Sequence, residues 1–222
     1  MKIGTDAILF GAWVNAKGNL HILDIGTGTG ILALMLAQRT TGLIEAIDID
    51  HQAAEQARDN CNQSPWADRL NCYYKSLSEF IPLNTTPYDL VVSNPPFFSS
   101  GHRSGHLPRA LARHHDSLSL EQLIKGTKLL LKPSGRLAVV LPYEERRKFV
   151  EICQTEGWWI VREASVRPLP QEEYIRVMME VGAIRPEQFQ TEEIIIEQGR
   201  RHQYHPTFKE YTIEYYPGTT LD

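Results

Sequence analysis

The tetrapeptide Asn94-Pro95-Pro96-Phe97 has residue types that could hold a flat group bearing an amine. The side-chain carbonyl of Asn94 and the backbone carbonyl of Pro95 offer two acceptors for the two N–H bonds of that amine. The prolines fix φ and stiffen the loop, and Phe97 could stack on a base swung out of its own stack. The combination indicates methyl transfer to a planar nitrogen, although Asn-Pro-Pro is also an ordinary strand-ending turn and Phe97 an ordinary core residue.

A glycine-rich loop, Asp24-Ile25-Gly26-Thr27-Gly28-Thr29-Gly30, lies upstream of this tetrapeptide. The loop falls between a predicted strand over residues 20–25 and a predicted helix over residues 31–37, where glycines let a ligand approach the backbone closely. A dinucleotide fingerprint would need a small residue at Ile31, and a P-loop would need a Lys-Ser/Thr pair that is absent. The pattern Asp-x-Gly-x-Gly-x-Gly resembles the first motif of class I S-adenosylmethionine-dependent methyltransferases, which implies cofactor contacts from Asp24, Gly26, Gly28 and Gly30.

An acidic position follows the next apolar run, residues 43–47, about twenty residues beyond the glycines. This is the interval at which an acid reaches ribose hydroxyls, so Asp48 is the predicted ribose ligand, with Ile49 beside the adenine ring. Asp50 opens the following helix and is predicted to be its N-cap. For Asp24 three roles stay open: it orients the loop, meets the methionine ammonium of the cofactor, or is a solvated carboxylate at a strand end.

One feature expected from that resemblance is missing. Class I methyltransferases often carry an acid after the third strand, which is predicted over residues 70–74, and this acid contacts the cofactor's adenine. Here the chain has Lys75-Ser76-Leu77 instead. Ser76 is therefore the predicted hydrogen-bond partner of the adenine, with backbone groups as the alternative.

A basic segment follows the tetrapeptide, because residues 101–115 contain arginines and histidines and no acid. We predict that Arg103, Arg109 and Arg113 contact phosphates of a nucleic-acid substrate, the alternative being a solvated loop. No metal is assigned to the histidines, since neither Cys nor carboxylate accompanies them at ligand spacing.

Composition agrees with one α/β domain over residues 1–222, with an N-terminal region (1–18), a core (19–183) and a C-terminal extension (184–222). The chain has 222 residues, of which 42% are hydrophobic, and a net charge of −4, which argues against general coating of nucleic acid. No apolar run is long enough for a membrane span and no signal pattern opens the chain. Three cysteines without metal or disulfide spacing favour a reducing, cytoplasmic setting.

The element pattern predicts a Rossmann-like class I methyltransferase fold, with a seven-stranded, mostly parallel sheet and helices on both faces. The last two strands, over residues 158–166 and 174–181, are predicted to form an antiparallel hairpin.

The chain as a whole resembles the bacterial valine-tRNA adenine-N6 methyltransferases. The segments that carry the resemblance are residues 1–13, the Asp24 loop, residues 94–98, Ala112-Arg113-His114, residues 129–137 and residues 204–216. The resemblance implies transfer of methyl from S-adenosylmethionine to N6 of adenine 37, beside the anticodon of one valine tRNA, with tRNA as partner and neither membrane nor obligate protein partner. Relatives carry a short segment before the equivalent of Lys2, so a truncated start is also expected. Within the opening motif, Thr5 and Asp6 are predicted to begin a helix through about Val14 that borders the active site, the alternative for Asp6 being that it simply caps that helix.

Three alternatives stay open at this point. The Asn-Pro-Pro-aromatic motif also serves glutamine N5 methylation of proteins, although such enzymes carry an added helical domain. The basic segment would equally allow guanine-N2 or adenine-N6 methylation of ribosomal RNA. A binding module for RNA or cofactor, without turnover, is the alternative outside the enzymes.

Overall fold

The computed structural model describes residues 4–18, 20–95, 118–199 and 203–215. The strands in these ranges are β1 (Ile22–Ile25), β2 (Ile44–Asp48), β3 (Leu70–Tyr74), β4 (Tyr88–Ser93), β5 (Leu131–Pro142), β6 (Trp159–Arg167), β7 (Arg176–Gly182) and β8 (Gln190–Ile195). The α-helices are α1 (Thr5–Trp13), α2 (Ile31–Ala37), α3 (His51–Asn62), α4 (Leu77–Phe80), α5 (Leu120–Leu130), α6 (Arg146–Thr155) and α7 (Pro206–Thr212). Short 3₁₀ turns span Ala67–Arg69, Ile81–Leu83 and Tyr143–Glu145.

The strands form one sheet in the order β3-β2-β1-β4-β5-β7-β6-β8. Strands β1 to β5 pair in parallel, β7 is antiparallel to both β5 and β6, and β8 is parallel to β6. The predicted fold and its antiparallel C-terminal hairpin are therefore confirmed. The predicted count of seven strands is wrong, because β8 adds an eighth within the predicted C-terminal extension.

Helices cover both faces of the sheet, as predicted. Neighbouring residues of a strand point to opposite sides, so each strand contributes side chains to two cores. Ala138 and Val140 of β5 pack into a core with α1, α2, α3 and α7, whereas Leu137 and Val139 pack into a second core with α4, α5 and α6. The central strands β1 and β4 are buried along nearly their whole length, which explains why most of their residues are apolar.

Helix α1 packs against α2. The guanidinium of Arg39, just past α2, donates to the carbonyls of Gly11 and Ala12 at the end of α1, at 2.6 and 2.9 Å. At the other end Asp6 accepts from Arg176 Nε at 2.8 Å. The N-cap of α1 is Gly4, so the prediction that Asp6 caps this helix is wrong. Since Arg176 begins β7 opposite the end of β5, Asp6 lies at the edge where the parallel strands end.

The C-terminal elements are fastened to α1 through Glu192 of β8. Its carboxylate accepts from Trp13 Nε1 at 2.8 Å, from Arg162 at 3.0 Å and from the Tyr211 hydroxyl at 2.6 Å. The Arg162 guanidinium also lies over the Trp13 ring, 4.2 Å from its centroid. Residues from α1, β6, β8 and α7 thus share one polar cluster.

Candidate active site

The site is built where the strand order reverses. Strand β1 lies between β2 and β4, and its last residue, Ile25, is opposite Ile47 on one side and Ser93 on the other. The Ser93 hydroxyl donates to the Ile25 carbonyl at 2.9 Å and ties the two strand ends together. In open parallel sheets, ligands bind in the crevice beyond such a switch point. The loops that follow β1, β2 and β4 therefore meet at one edge, which we call the carboxyl edge.

The glycine loop leaves β1 in a conformation that L side chains rarely adopt. Gly26, Gly28 and Gly30 have φ of 74°, 60° and 80°. A Cβ on Gly30 would also lie 3.3 Å from the backbone of Ala57 in α3. The loop is held by amides of Gly26 and Thr27, which donate to the Ile47 carbonyl at 2.9 and 3.1 Å. Glycine is required here both by the backbone angle and by the close packing of α3.

Asp24 is fully buried beneath this loop, so the alternative of a solvated carboxylate is wrong. Its Oδ2 accepts from the Thr27 hydroxyl at 2.6 Å, whereas its Oδ1 is buried without a hydrogen-bond partner among the described residues. Burial raises the pKa of this carboxyl to about 7, against the lowering effect of the Thr27 bond and with a further rise from the nearby Asp48. A buried acid oxygen without a partner needs a donor, which is either a proton on the carboxyl itself or a positively charged ligand group that reaches it.

Asp48 ends β2 and holds the glycine loop from the other side. Its Oδ2 accepts from the Gly28 amide and its Oδ1 from the Asp50 amide, both at 2.8 Å. A carboxylate has about four lone-pair sites, so roughly two remain for further donors. Two adjacent hydroxyls, such as those of a ribose, match this remaining capacity.

The neighbours of Asp48 take separate roles. Ile49 is 50% exposed, an apolar side chain open to solvent beside the loop. Asp50 is the N-cap of α3, as predicted, and accepts from the amides of Gln52 and Ala53. Ser76 caps α4, where its hydroxyl and amide form a capping box with Glu79. Since that hydroxyl already takes part in the helix cap, contact of Ser76 with adenine stays a prediction.

Asn94 and Pro95 follow β4 directly at the carboxyl edge, Asn94 half-buried and Pro95 buried. Their strand neighbour Ser93 is bonded to the residue that starts the glycine loop, so these residues and the loop are adjacent. Pro96, Phe97, Arg103, Arg109 and Arg113 lie outside the described residues, and their predicted roles stay predictions.

Two contacts at the site were missed from the sequence. Asn60 Nδ2 donates to the Thr29 carbonyl at 2.8 Å, so α3 holds the tip of the glycine loop. Ala57, one turn earlier, supplies the surface on which Gly30 packs. The spacing of these residues, three apart on one helix face, is the signal that could have indicated a shared contact. Among the described residues, no group of His, Cys, Asp or Glu forms a metal site, and no helix is long and apolar enough to cross a membrane.

Comparison with known proteins decides the family. The model of the methyltransferase small domain matches residues 3–154. A tRNA1(Val) (adenine(37)-N6)-methyltransferase from Parabacteroides distasonis is 42% identical, over 97% of this chain and 91% of the relative. The chain belongs to the family of these methyltransferases.

Other members of this methyltransferase family match over the same range. The Flavobacterium johnsoniae protein of the same name is 39% identical over 97% of this chain and 92% of its own length. Among solved structures, a predicted O-methyltransferase from Agrobacterium tumefaciens has a TM-score of 0.66 at 18% identity, covering 94% of this chain and 95% of that one. The magnesium protoporphyrin IX methyltransferase of Synechocystis, solved with bound SAM, has a TM-score of 0.53 at 19% identity, covering 80% and 77%. At these identities the two structures show the fold.

Proposed function

We propose that this methyltransferase transfers a methyl group from S-adenosylmethionine to N6 of adenine 37 in a valine tRNA, in the cytoplasm. The observation that carries the proposal is the placement of Asn94 and Pro95 beside the glycine loop at the switch point of the sheet. The tRNA assignment is supported by relatives of that name that match nearly the whole chain.

The cofactor's binding groups are assigned from the donor and acceptor capacity of the loop. Asp24 would face the methionine ammonium through its unpartnered oxygen, and Asp48 would accept the two ribose hydroxyls. Ile49 would lie against the adenine ring, with Gly26, Gly28 and Gly30 allowing close approach and Ser76 as a polar contact. When bound, S-adenosylmethionine supplies a methyl group on a positively charged sulfur, which a neutral amine is able to attack.

The substrate's amine is held by two carbonyls. The side-chain carbonyl of Asn94 and the backbone carbonyl of Pro95 accept hydrogen bonds from the two N–H groups of N6. These bonds fix the nitrogen and favour a more tetrahedral geometry. Pro96 keeps the loop stiff and Phe97 stacks on the flipped adenine. No covalent enzyme intermediate and no general base are included, because the nitrogen becomes acidic once it has been methylated.

The test is an assay with labelled S-adenosylmethionine and unmodified tRNA, ribosomal RNA and protein fractions. We expect label in tRNA only, as N6-methyladenosine that maps to position 37 of a valine tRNA. Label in ribosomal RNA or on protein glutamine would replace the proposed substrate. Turnover with none of the three fractions would leave a binding module as the better description.

Replacing Asn94 tests the amine clamp. Asn94→Ala should slow methylation by about two orders of magnitude, as removal of one preorganised polar group does, and should leave cofactor affinity nearly unchanged. Stopped-time methylation assays and calorimetry with the cofactor measure the two effects. Asn84→Ala, in the loop before β4, is the matched control, because the side chain of Asn84 bonds only to the nearby Thr86 carbonyl among the contacts that the structure describes. An Asn94→Ala enzyme with lost cofactor affinity and an unchanged rate constant would refute the assignment.

A further inference from the structure

The carboxyl edge is divided between cofactor and substrate by the strand order. The glycine loop and Asp48 occupy the ends of β1 and β2, toward β3. A tRNA with its adenine at Asn94 must therefore lie over the opposite half of the edge. That half consists of the ends of β5, β6 and β8 and the start of β7.

Three planar groups form a stack across this half. Arg167 ends β6, and its guanidinium carbon lies 4.2 Å from the centroid of the Tyr174 ring. The Tyr174 ring is in turn 4.9 Å from the Tyr143 ring, at an interplanar angle of 35°. Tyr143 directly follows β5, which is the strand next to β4. The stack thus runs from β6 toward β4, and Tyr143 follows the strand next to β4. Because Ser93 is level with Val139, Tyr143 lies about three residues, roughly 10 Å, farther along the strand direction than Asn94.

Hydrogen bonds hold Tyr174 and Arg167, the two members of the stack that support Tyr143. The Tyr174 hydroxyl donates to Glu193 Oε1 at 2.6 Å, and the Arg167 guanidinium pairs with the same carboxylate. Arg167 also donates to the Pro170 carbonyl at 2.9 Å. Tyr143 and Tyr174 are both half-buried, so part of each ring remains accessible. Rings that are already immobilised lose little side-chain entropy when a ligand binds.

The arginines of this half are paired, and Glu144, Glu172 and Glu173 beside the two rings are exposed acids. Arg167 is paired with Glu193, and Arg176, at the start of β7, is paired with Asp6. The surface therefore offers stacking more than neutralisation of phosphates. Single-stranded RNA loops are recognised in this way, by bases that stack on aromatic rings and guanidinium planes.

The family comparison places part of the stack outside the general methyltransferase domain. The small-domain model ends at residue 154, before β6, whereas the tRNA1(Val) relatives match over 97% of the chain. Arg167 and Tyr174 thus lie beyond the matched small-domain range, in a part of the chain that the tRNA1(Val) relatives also cover.

We propose that Tyr143, supported by Tyr174 and Arg167, stacks on a nucleotide next to adenine 37 in the anticodon loop. The inference rests on the proposed function, because it requires an adenine of a tRNA loop at Asn94. It assigns substrate recognition to residues other than those of the amine clamp.

The test measures coupling between the Tyr143 ring and a single RNA base. Tyr143→Ala and wild type are assayed on valine tRNA transcripts that carry either the natural base or an abasic nucleotide before or after adenine 37. With natural tRNA, Tyr143→Ala should raise KM for tRNA on the order of tenfold and leave KM for S-adenosylmethionine unchanged. With one of the two abasic tRNAs, the substitution should have no further effect.

Three further variants separate stacking from folding. Tyr143→Phe keeps the ring and should behave as wild type, and Tyr143→Leu fills the space without a planar ring and should behave as Tyr143→Ala. Trp159→Ala is the matched control. The Trp159 ring is 44% exposed and has the Arg185 guanidinium 4.8 Å from its centroid, but it lies at the opposite end of β6. It should leave both KM values unchanged.

These assays distinguish failure of the stacking proposal from failure of the proposed function. If wild type methylates adenine 37 and the Tyr143 substitutions change no KM, or couple to neither neighbouring base, the stacking surface is refuted and the function stands. If wild type methylates no tRNA, the proposed function itself has failed.

Discussion

At the scale of single residues, Asp48 connects the protein's own loop to the expected ribose. Replacing it by Asn turns one carboxylate oxygen into an NH2 group, which donates and does not accept. The side chain is then unable to accept from both of the backbone N–H groups that Asp48 binds, those of Gly28 and Asp50. Asp48→Asn should therefore weaken cofactor affinity about tenfold or more, as removal of a charged hydrogen bond does. Calorimetric titration with S-adenosylhomocysteine measures this change.

The next acid along the chain is the natural control for Asp48. Asp50 only caps α3, so Asp50→Asn, which keeps an N-capping oxygen, should change neither affinity nor stability appreciably. Equal loss of affinity in both variants would mean that general negative charge, and not the hydrogen bonds of Asp48, attracts the ligand.

Asp24 should make the protein's stability depend on pH. Its folded pKa of about 7 lies above the ordinary value of 3.8, so the folded protein keeps a proton that the unfolded chain releases. The stabilising contribution is complete below about pH 4 and is lost as pH rises to about 7. Asp24→Asn retains the acceptor for Thr27 and should remove this loss, which is on the order of 3 kcal/mol between pH 5 and pH 8.

Urea unfolding of wild type and Asp24→Asn at pH 5 and pH 8 measures the difference. Asp59→Asn, at an exposed position of α3, serves as control and should follow the wild-type pH dependence. If the wild-type and Asp24→Asn curves stay parallel across this range, the buried carboxyl does not titrate as described.

At the scale of elements, the sequence predicted best where burial is complete. The strands β1 and β4 are buried along nearly their whole length, and their sequences and the motifs that follow them placed the glycine loop and Asn94 correctly. Strand β8 was missed because it lies at the sheet edge and is mostly polar, with Glu192 and Glu193 in its middle. Local pattern does not reveal such a strand, since its stability depends on partners distant in the chain.

The same limit applies to the site. Asn60 and Tyr143 carry no motif, and only the folded chain brings them to the glycine loop and to the β4 side of the carboxyl edge. Asp24 was recognised from its spacing, but its complete burial depends on the packing of α2 and α3.

The Glu192 cluster should contribute measurably to the stability of the fold. Glu192→Gln replaces one accepting oxygen by a donor, which leaves at least one of Trp13, Arg162 and Tyr211 without its acceptor. We expect a loss of about 1–3 kcal/mol in the free energy of unfolding. Glu187→Gln makes the same chemical change at an exposed site and should shift stability by less than about 0.5 kcal/mol. Equal stability of the two variants in urea titrations would show that the cluster contributes nothing.

At the scale of the whole molecule, charge is unevenly distributed along the chain. The net charge is −4, yet residues 101–115 contain three arginines and four histidines without an acid. The remaining surface must therefore repel RNA on average, so this segment should supply most of the electrostatic attraction. Because the arginines near Tyr143 are already paired with acids, this divides tRNA binding into an ionic part and a stacking part.

The two parts should respond differently to salt. Replacing Arg103, Arg109 and Arg113 together by Gln should weaken tRNA binding and lower the slope of log Kd against log salt by about 0.7–0.9 for each phosphate that is no longer neutralised. Tyr143→Ala should weaken binding without changing that slope, because stacking releases no counterions. Fluorescence anisotropy with labelled tRNA between low and physiological salt measures both. Arg147→Gln, a 90% exposed position on α6, is the charge-matched control and should leave the slope unchanged. An equal slope for wild type and the triple variant would place the phosphate-binding groups elsewhere on the protein.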